Sequence, residues 1–145
     1  MCAAANLARK AALAGLAASA LALATGTAAA AQSKEAFTPD RFEELQARDE
    51  LILIDVFADW CPVCAMQQEV LAAFLEEHPD IPLRILTVDF DEQKEWVRHF
   101  GAPRQSTLIL YRGRDRLWFS VAETRADRIV DELLRAAEPY AVQGS

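Results

Sequence analysis

The run Leu51-Ile52-Leu53-Ile54-Asp55-Val56-Phe57-Ala58 limits the possible folds more than any other segment of the chain, because only one of its residues is polar. It shows no alternation of apolar and polar residues, so neither face is built for water. A strand of this kind belongs in the interior of a sheet covered on both sides. The pattern turns helical at Cys61 and stays so to about Glu77, with Val70, Leu71, Phe74 and Leu75 as the inner stripe and His78-Pro79 as the stop. Leu83 to Phe90 reads as a second strand. Two strands joined by a helical crossover are most simply parallel neighbours.

The remaining elements follow from local signals. Gln32 to Phe37 has no apolar pattern and is read as a tether. Thr38-Pro39-Asp40 supplies an N-cap, a first helical residue and a first-turn acid for a short helix that turns Phe42 and Leu45 inward. A second short helix carries Trp96, Val97 and Phe100 and closes on Gly101. Thr107 to Arg112 and Leu117 to Val121 flank Gly113 and form an antiparallel hairpin, so Arg112, Arg114 and Arg116 are solvated turn residues. Thr124 is expected to cap the last helix, with Asp127 three residues on and Ile129, Val130, Leu133 and Leu134 inward. The expected architecture is an α/β sandwich, a mixed four-stranded sheet with helices on both faces.

Residues 1–31 contain no acid, carry Arg9 and Lys10, continue as an Ala- and Leu-rich stretch and end on Ala28-Ala29-Ala30-Ala31. This is the pattern of a secretory signal cleaved before Gln32. An uncleaved membrane anchor is the alternative, although the stretch is weakly apolar and interrupted by Thr25, Gly26 and Thr27. Cleavage leaves about 114 residues, enough for one core and too few for two, so residues 38–145 are read as a single domain. Loss of Arg9 and Lys10 takes the net charge from −7 to −9. Such an acidic chain is ill-suited to nucleic acid or to an anionic membrane surface.

Of the three cysteines, Cys2 lies in the leader, ahead of its apolar stretch. The other two form Trp60-Cys61-Pro62-Val63-Cys64 at the strand-to-helix junction. Unpaired amides and the positive dipole end of a helix favour a thiolate at Cys61, and i,i+3 spacing keeps Cys64 on the same face, within disulfide reach. Thiol–disulfide exchange is therefore the leading reading. A purely structural disulfide is disfavoured, because so short a loop restricts the unfolded chain little. Two thiolates could also hold Cu(I) or zinc, but His78 and His99 lack ligand spacing to them, so no metal site is assigned. A redox-inactive interaction module would more naturally have lost a cysteine.

The run Ile54-Asp55-Val56-Phe57-Ala58-Asp59-Trp60-Cys61-Pro62-Val63-Cys64 resembles the thioredoxin family, and the likeness extends from about Thr38 to Ala137. Phe100-Gly101-Ala102-Pro103-Arg104-Gln105-Ser106-Thr107-Leu108-Ile109-Leu110-Tyr111 is similar to the family segment that brings a loop over the active site. The wording Ala58-Asp59-Trp60-Cys61 resembles exported bacterial reductants. Two positions depart from the family. Ser106 stands where a cis-proline is usual, and Ala122 where a glycine is frequent before the last helix.

The resemblance implies an exported thiol:disulfide oxidoreductase, reductase in preference to oxidase, with no cofactor beyond its own dithiol. Cys61 is then the attacking thiol at an exposed helix end, Cys64 the resolving thiol, and Asp55 the acceptor of the Cys64 proton. A basic partner for that acid is often found on the adjacent strand, where this chain has Thr87. Trp60, Pro62, Val63, Gln105 and Ser106 are the expected docking residues. The expected partners are exported proteins with cysteines and a membrane-bound electron donor or acceptor, and the expected state is a monomer in the periplasm or otherwise outside the cytoplasm. Trp96 and Trp118 are expected to be core or half-buried aromatics and not site residues. The Gln105–Ser106 bond is expected to be trans, with a spare N–H and hydroxyl beside the sulfur, and the fold is expected to tolerate Ser106→Pro.

Overall fold

The computed structural model describes residues 32–141, so the leader read in residues 1–31 lies outside the described residues. The elements run β1 (Ser33–Ala36), α1 (Pro39–Ala47), β2 (Leu51–Phe57), α2 (Pro62–Glu77), β3 (Leu83–Asp89), α3 (Lys94–His99), β4 (Thr107–Arg112), β5 (Asp115–Val121) and α4 (Ala126–Ala141). The sheet has the order β1-β3-β2-β4-β5. β2 is parallel to β3, as the crossover requires, and β4 is antiparallel both to β2 and to its hairpin partner β5. Buried along almost its whole length, β2 sits at the centre of the sheet.

The sheet has five strands, not four, because the segment read as a tether is β1. Ser33 to Ala36 pairs in parallel with Arg84 to Thr87 of β3, and the Phe37 amide continues the ladder to the Thr87 carbonyl at 2.9 Å. An edge strand of four residues needs only backbone partners, so its polar sequence carried no pattern to detect. Its anchor is Phe37, which is buried and packs on Phe42, Trp96 and Phe100.

The helices divide the core in two. On one face α2 and α4 cover Leu51, Leu53, Ile85, Leu108 and Leu110, adding Leu71, Phe74, Ile129 and Leu133. On the other, α1 and α3 cover Ile52, Ile54, Val56, Leu86, Val88 and Ile109 with a cluster of rings. Trp96 and Trp118 are partly buried against these cores, one on each face.

Local caps agree with the sequence in one case and correct it in another. Thr38 Oγ1 accepts from the Arg41 amide at 3.2 Å and starts α1. At α4 the residue immediately before the helix is Arg125, so Thr124 is not the cap. Just ahead of the helix, Glu123 Oε1 accepts from the Thr124 and Arg125 amides at 3.1 and 3.0 Å. Those amides and the Arg125 guanidinium hold the Glu123 carboxyl down to about 2, the guanidinium hydrogen bond acting most strongly.

Candidate active site

Strand β2 delivers the chain to the top of the sheet, and Ala58 to Trp60 turn it into α2. Cys61 is the N-cap of that helix, with an extended backbone (φ −92°, ψ 109°), and its Sγ accepts from the Cys64 amide at 3.1 Å. The first helical residue, Pro62, has the fixed φ that position wants and no N–H to offer the sulfur. Both cysteines carry free thiols. Cys61 was expected at an exposed helix end, yet only 3% of it is exposed. It packs with Ala58 and Cys64 beneath Phe57, Val63 and Phe90.

Cys64 is fully buried. Burial pushes its thiol up to about 12, with the hydrogen bond to Cys61 as the next contribution. The Cys61 charge adds to the rise, and the Ala58 and Ser106 amides oppose it. Proton removal is therefore the costly event at this sulfur.

The loop before β4 meets the dithiol from the other side of β2. No cis peptide bond occurs among the described residues, so Gln105–Ser106 is trans as expected. Ser106 instead takes a left-handed backbone, φ +59°. Its groups are not spare: the amide donates to the Val56 carbonyl at 2.7 Å and the hydroxyl to the Gln105 carbonyl at 2.5 Å. Its carbonyl accepts from the Ala122 amide at 2.8 Å, and Ala122 is left-handed too, φ +55°. The expectation that proline would fit at 106 is thereby overturned, since proline can neither adopt that φ nor keep the bond to Val56.

Asp55 is fully buried in β2, opposite Thr87 of β3 and Leu108 of β4. Burial raises its carboxyl above the ordinary range; the Gln68 hydrogen bond and the Lys34 charge pull the other way. Oδ2 accepts from Gln68 Nε2 at 2.7 Å, while Oδ1 has no hydrogen-bond partner among the described residues. Gln68 lies one turn beyond Cys64 on α2, so the helix carries the resolving thiol and the acid's partner on one face.

A family model named Thioredoxin matches residues 33–135, which is most of this chain and the whole of the sheet. The chain belongs to the thioredoxin family. It is 34% identical over 76 residues to a thioredoxin of Alicyclobacillus acidocaldarius, covering 52% of this chain and 71% of that one. It is 32% identical over 119 residues to a protein disulfide-isomerase of Aspergillus oryzae, covering 80% of this chain and 22% of that longer protein. The crystal structure of Trxlp from Edwardsiella tarda superposes with a TM-score of 0.66 at 38% identity, covering 70% of this chain and 98% of that one. With these relatives and its paired thiols, this thioredoxin-family chain is a thiol:disulfide oxidoreductase.

Among the residues singled out for docking, Trp60 stands out from the surface, 60% exposed, with its indole N–H donating to Asp91 Oδ2 at 2.7 Å. Pro62 is exposed, Val63 and Gln105 are half-buried, and Ser106 is fully buried. The surface beside the dithiol thus consists of Trp60, Pro62 and also Met66, an exposed residue one turn after Pro62. Among the described residues no group of three or more His, Cys, Asp or Glu is placed to hold a metal ion.

Three contributors escaped the sequence reading. Gln67, buried, donates to the Ser106 carbonyl at 3.3 Å and the Glu123 carbonyl at 2.9 Å, and so ties α2 to both loops. Gln68 holds Asp55, and Lys34 of β1 donates to Gln68 Oε1. Two glutamines at i+3 and i+4 from the second cysteine, on a helix that buries that side, were the available signal. Lys34 gave none, because its strand was unrecognised.

Proposed function

We propose that this oxidoreductase works outside the cytoplasm as a reductase of protein disulfides, re-reduced by a membrane-bound donor. The observation that carries the direction of electron flow is the sparse support for sulfur charge. Cys61 Sγ receives the Cys64 amide, Pro62 contributes no N–H, and Cys64 is buried with its thiol raised to about 12. A dithiol becomes an oxidant when its reduced form is specially stabilised; with little such stabilisation, the disulfide is favoured and the reduced pair gives up its electrons. The leader pattern in residues 1–31 and the wording Ala58-Asp59-Trp60-Cys61 support the exported setting.

The chemistry runs in two displacements. The Cys61 thiolate attacks one sulfur of a client disulfide, forms a mixed disulfide and releases the client's other sulfur as a thiolate. Cys64 then gives its proton to Asp55 and attacks Cys61 Sγ. The Cys61–Cys64 bond forms, the second client thiolate leaves, and two electrons have passed from the enzyme to the client. Burial raises Asp55 and so narrows the gap in proton affinity between carboxylate and thiol, which is what a base for Cys64 needs. The Trp60, Pro62 and Met66 surface is where client protein is received.

Equilibration in glutathione redox buffers, read by alkylation of Cys61 and Cys64, tests the direction. A reduction potential more negative than about −220 mV agrees with a reductase, whereas one near about −120 mV makes the protein a disulfide donor. Expression of the full chain with fractionation tests the setting. A product beginning near Gln32 outside the cytoplasm is expected, and an intracellular product retaining residues 1–31 overturns it.

A further inference from the structure

Asp55 has no cation on the neighbouring strand, because Thr87 faces it there. The charge nearest to it in this arrangement reaches in from the sheet edge. Lys34, on β1, donates to Gln68 Oε1, and Gln68 Nε2 donates to Asp55 Oδ2 at 2.7 Å. A side-chain amide has one accepting end and one donating end, and an ammonium group can only donate. Lys34 can therefore bind only the oxygen of Gln68, which leaves the N–H end for Asp55. We propose that Lys34 is a positioning residue: by holding the Gln68 amide in this one orientation, it keeps a donor on Asp55 and so keeps Asp55 an ionised acceptor for the Cys64 proton.

The alternative orientation shows what Lys34 prevents. With the amide turned over, the Gln68 oxygen would face Asp55, and only a protonated carboxyl could bond to it. The other surroundings do not impose a choice. Thr87 and Leu108 flank Asp55 on β3 and β4 without charge, and α2 offers Gln68 and the Cys64 thiol one turn away. An open groove of about 560 Å³ runs along β1 and β3 past Lys34, Ala36, Thr87 and Phe57. Asp89, Glu92 and Glu35 also line it, and Glu35 is paired with Arg41 at 3.1 Å. Lys34 and the Gln68 amide thus work against burial. β1 is thereby more than an edge: its register, with Lys34 opposite Ile85 and Ala36 opposite Thr87, sets the ammonium against α2.

This inference rests on the exchange reading for its consequence, but its structural content can be measured without any exchange. The reduced full chain, labelled with carboxyl-¹³C aspartate, is titrated as wild type, Lys34→Met and Lys34→Arg, and the Asp55 signal is assigned with Asp55→Asn. Lys34→Met should move the Asp55 midpoint to higher pH, and Lys34→Arg should leave it near the wild type. Resolution of a Cys61–glutathione mixed disulfide by Cys64 should slow about three- to tenfold at neutral pH in Lys34→Met, with the first attack by Cys61 within about twofold. Lys34 is exposed, so these variants retain the fold. An Asp55 midpoint unmoved by Lys34→Met overturns the proposal even if exchange proceeds. Failure of the wild type to reduce any disulfide overturns the function reading, and the titration still decides the role of Lys34.

Discussion

The two faces of the sheet are built from different materials. Beneath α1 and α3, Phe37, Phe42, Phe100 and Tyr111 fill the space with tilted and edge-on rings, Phe100 meeting Phe37 at 5.5 Å and 86° and Phe42 at 5.4 Å and 78°. Beneath α2 and α4 the core is largely aliphatic around Phe74, and at its upper end polar groups enter it: Asp55, Gln67 and Ser106, all buried. Two of their atoms, Asp55 Oδ1 and Gln67 Oε1, have no hydrogen-bond partner among the described residues. Buried polar atoms without a partner cost stability, and among the described residues the ring-filled face has none of them. The contrast teaches that one face supplies stability while the other spends some of it on holding a dithiol and an acid away from water.

The largest expected effect breaks the chemistry and leaves both faces standing. Cys61→Ser should abolish exchange, and Cys64→Ser should accumulate client proteins as mixed disulfides through Cys61. Mass spectrometry of trapped species checks the order of the two sulfurs; trapping through Cys64 in the Cys61→Ser variant would reverse it. Both sulfurs are buried, so a hydroxyl in place of either should cost about 1–3 kcal/mol and still leave the protein folded.

The converse change strikes the other face. Phe100→Ala removes the ring shared by Phe37, Phe42 and Tyr111, and should cost about 3–5 kcal/mol in denaturant unfolding. The remaining folded protein should exchange disulfides at the wild-type rate. A lower rate in the folded fraction would show that the two faces are coupled.

Asp55→Asn lies between these cases, because it touches both stability and chemistry. Burial raises the folded carboxyl above its unfolded value, so the native state binds this proton more tightly than the unfolded chain does. The stabilisation from this group is therefore complete below the unfolded value and is lost as pH rises through the folded one. Above the folded value the wild type bears the full cost of a buried carboxylate, and there Asp55→Asn should be the more stable protein. At pH near 3 the advantage should vanish. Resolution of the mixed disulfide should meanwhile slow by about ten- to a hundredfold, since a carboxamide cannot take the Cys64 proton. Urea titrations across pH check the first part and stopped-flow resolution the second.

Legibility in the sequence follows the same division. β2, the helical crossover and the hairpin were readable because apolar periodicity reports burial, and both cores are made of it. The dithiol and Asp55 were readable because each breaks the pattern around it. What could not be read depends on backbone and on polar contacts between distant segments. β1 is held by a ladder and one buried ring, α4 begins at Ala126 with Arg125 and not Thr124 before it, and Lys34 reaches the site through Gln68. The burial of Cys61 belongs here too, since it depends on where Phe57, Val63 and Phe90 converge.

The smallest expected effect concerns the loops where the polar face is closed. Ser106 and Ala122, bonded to each other through amide and carbonyl, both hold φ near +55° to +60°, a region where a Cβ crowds the backbone. Ser106 cannot easily be relieved, because its amide and hydroxyl are both engaged and Gln67 also binds its carbonyl. Ala122 is different, for its methyl group brings no hydrogen bond. Glycine there would keep the bond to Ser106 and remove the steric cost of the left-handed backbone, at the expense of more freedom in the unfolded chain. The first effect is the larger, so Ala122→Gly should stabilise the protein by about 0.5–1.5 kcal/mol, seen as a higher denaturant midpoint with an unchanged slope. Exchange should stay at the wild-type rate if strain at Ala122 is only structural. A faster or slower resolution step in this variant would instead mean that the paired left-handed residues help to set the position of Cys64.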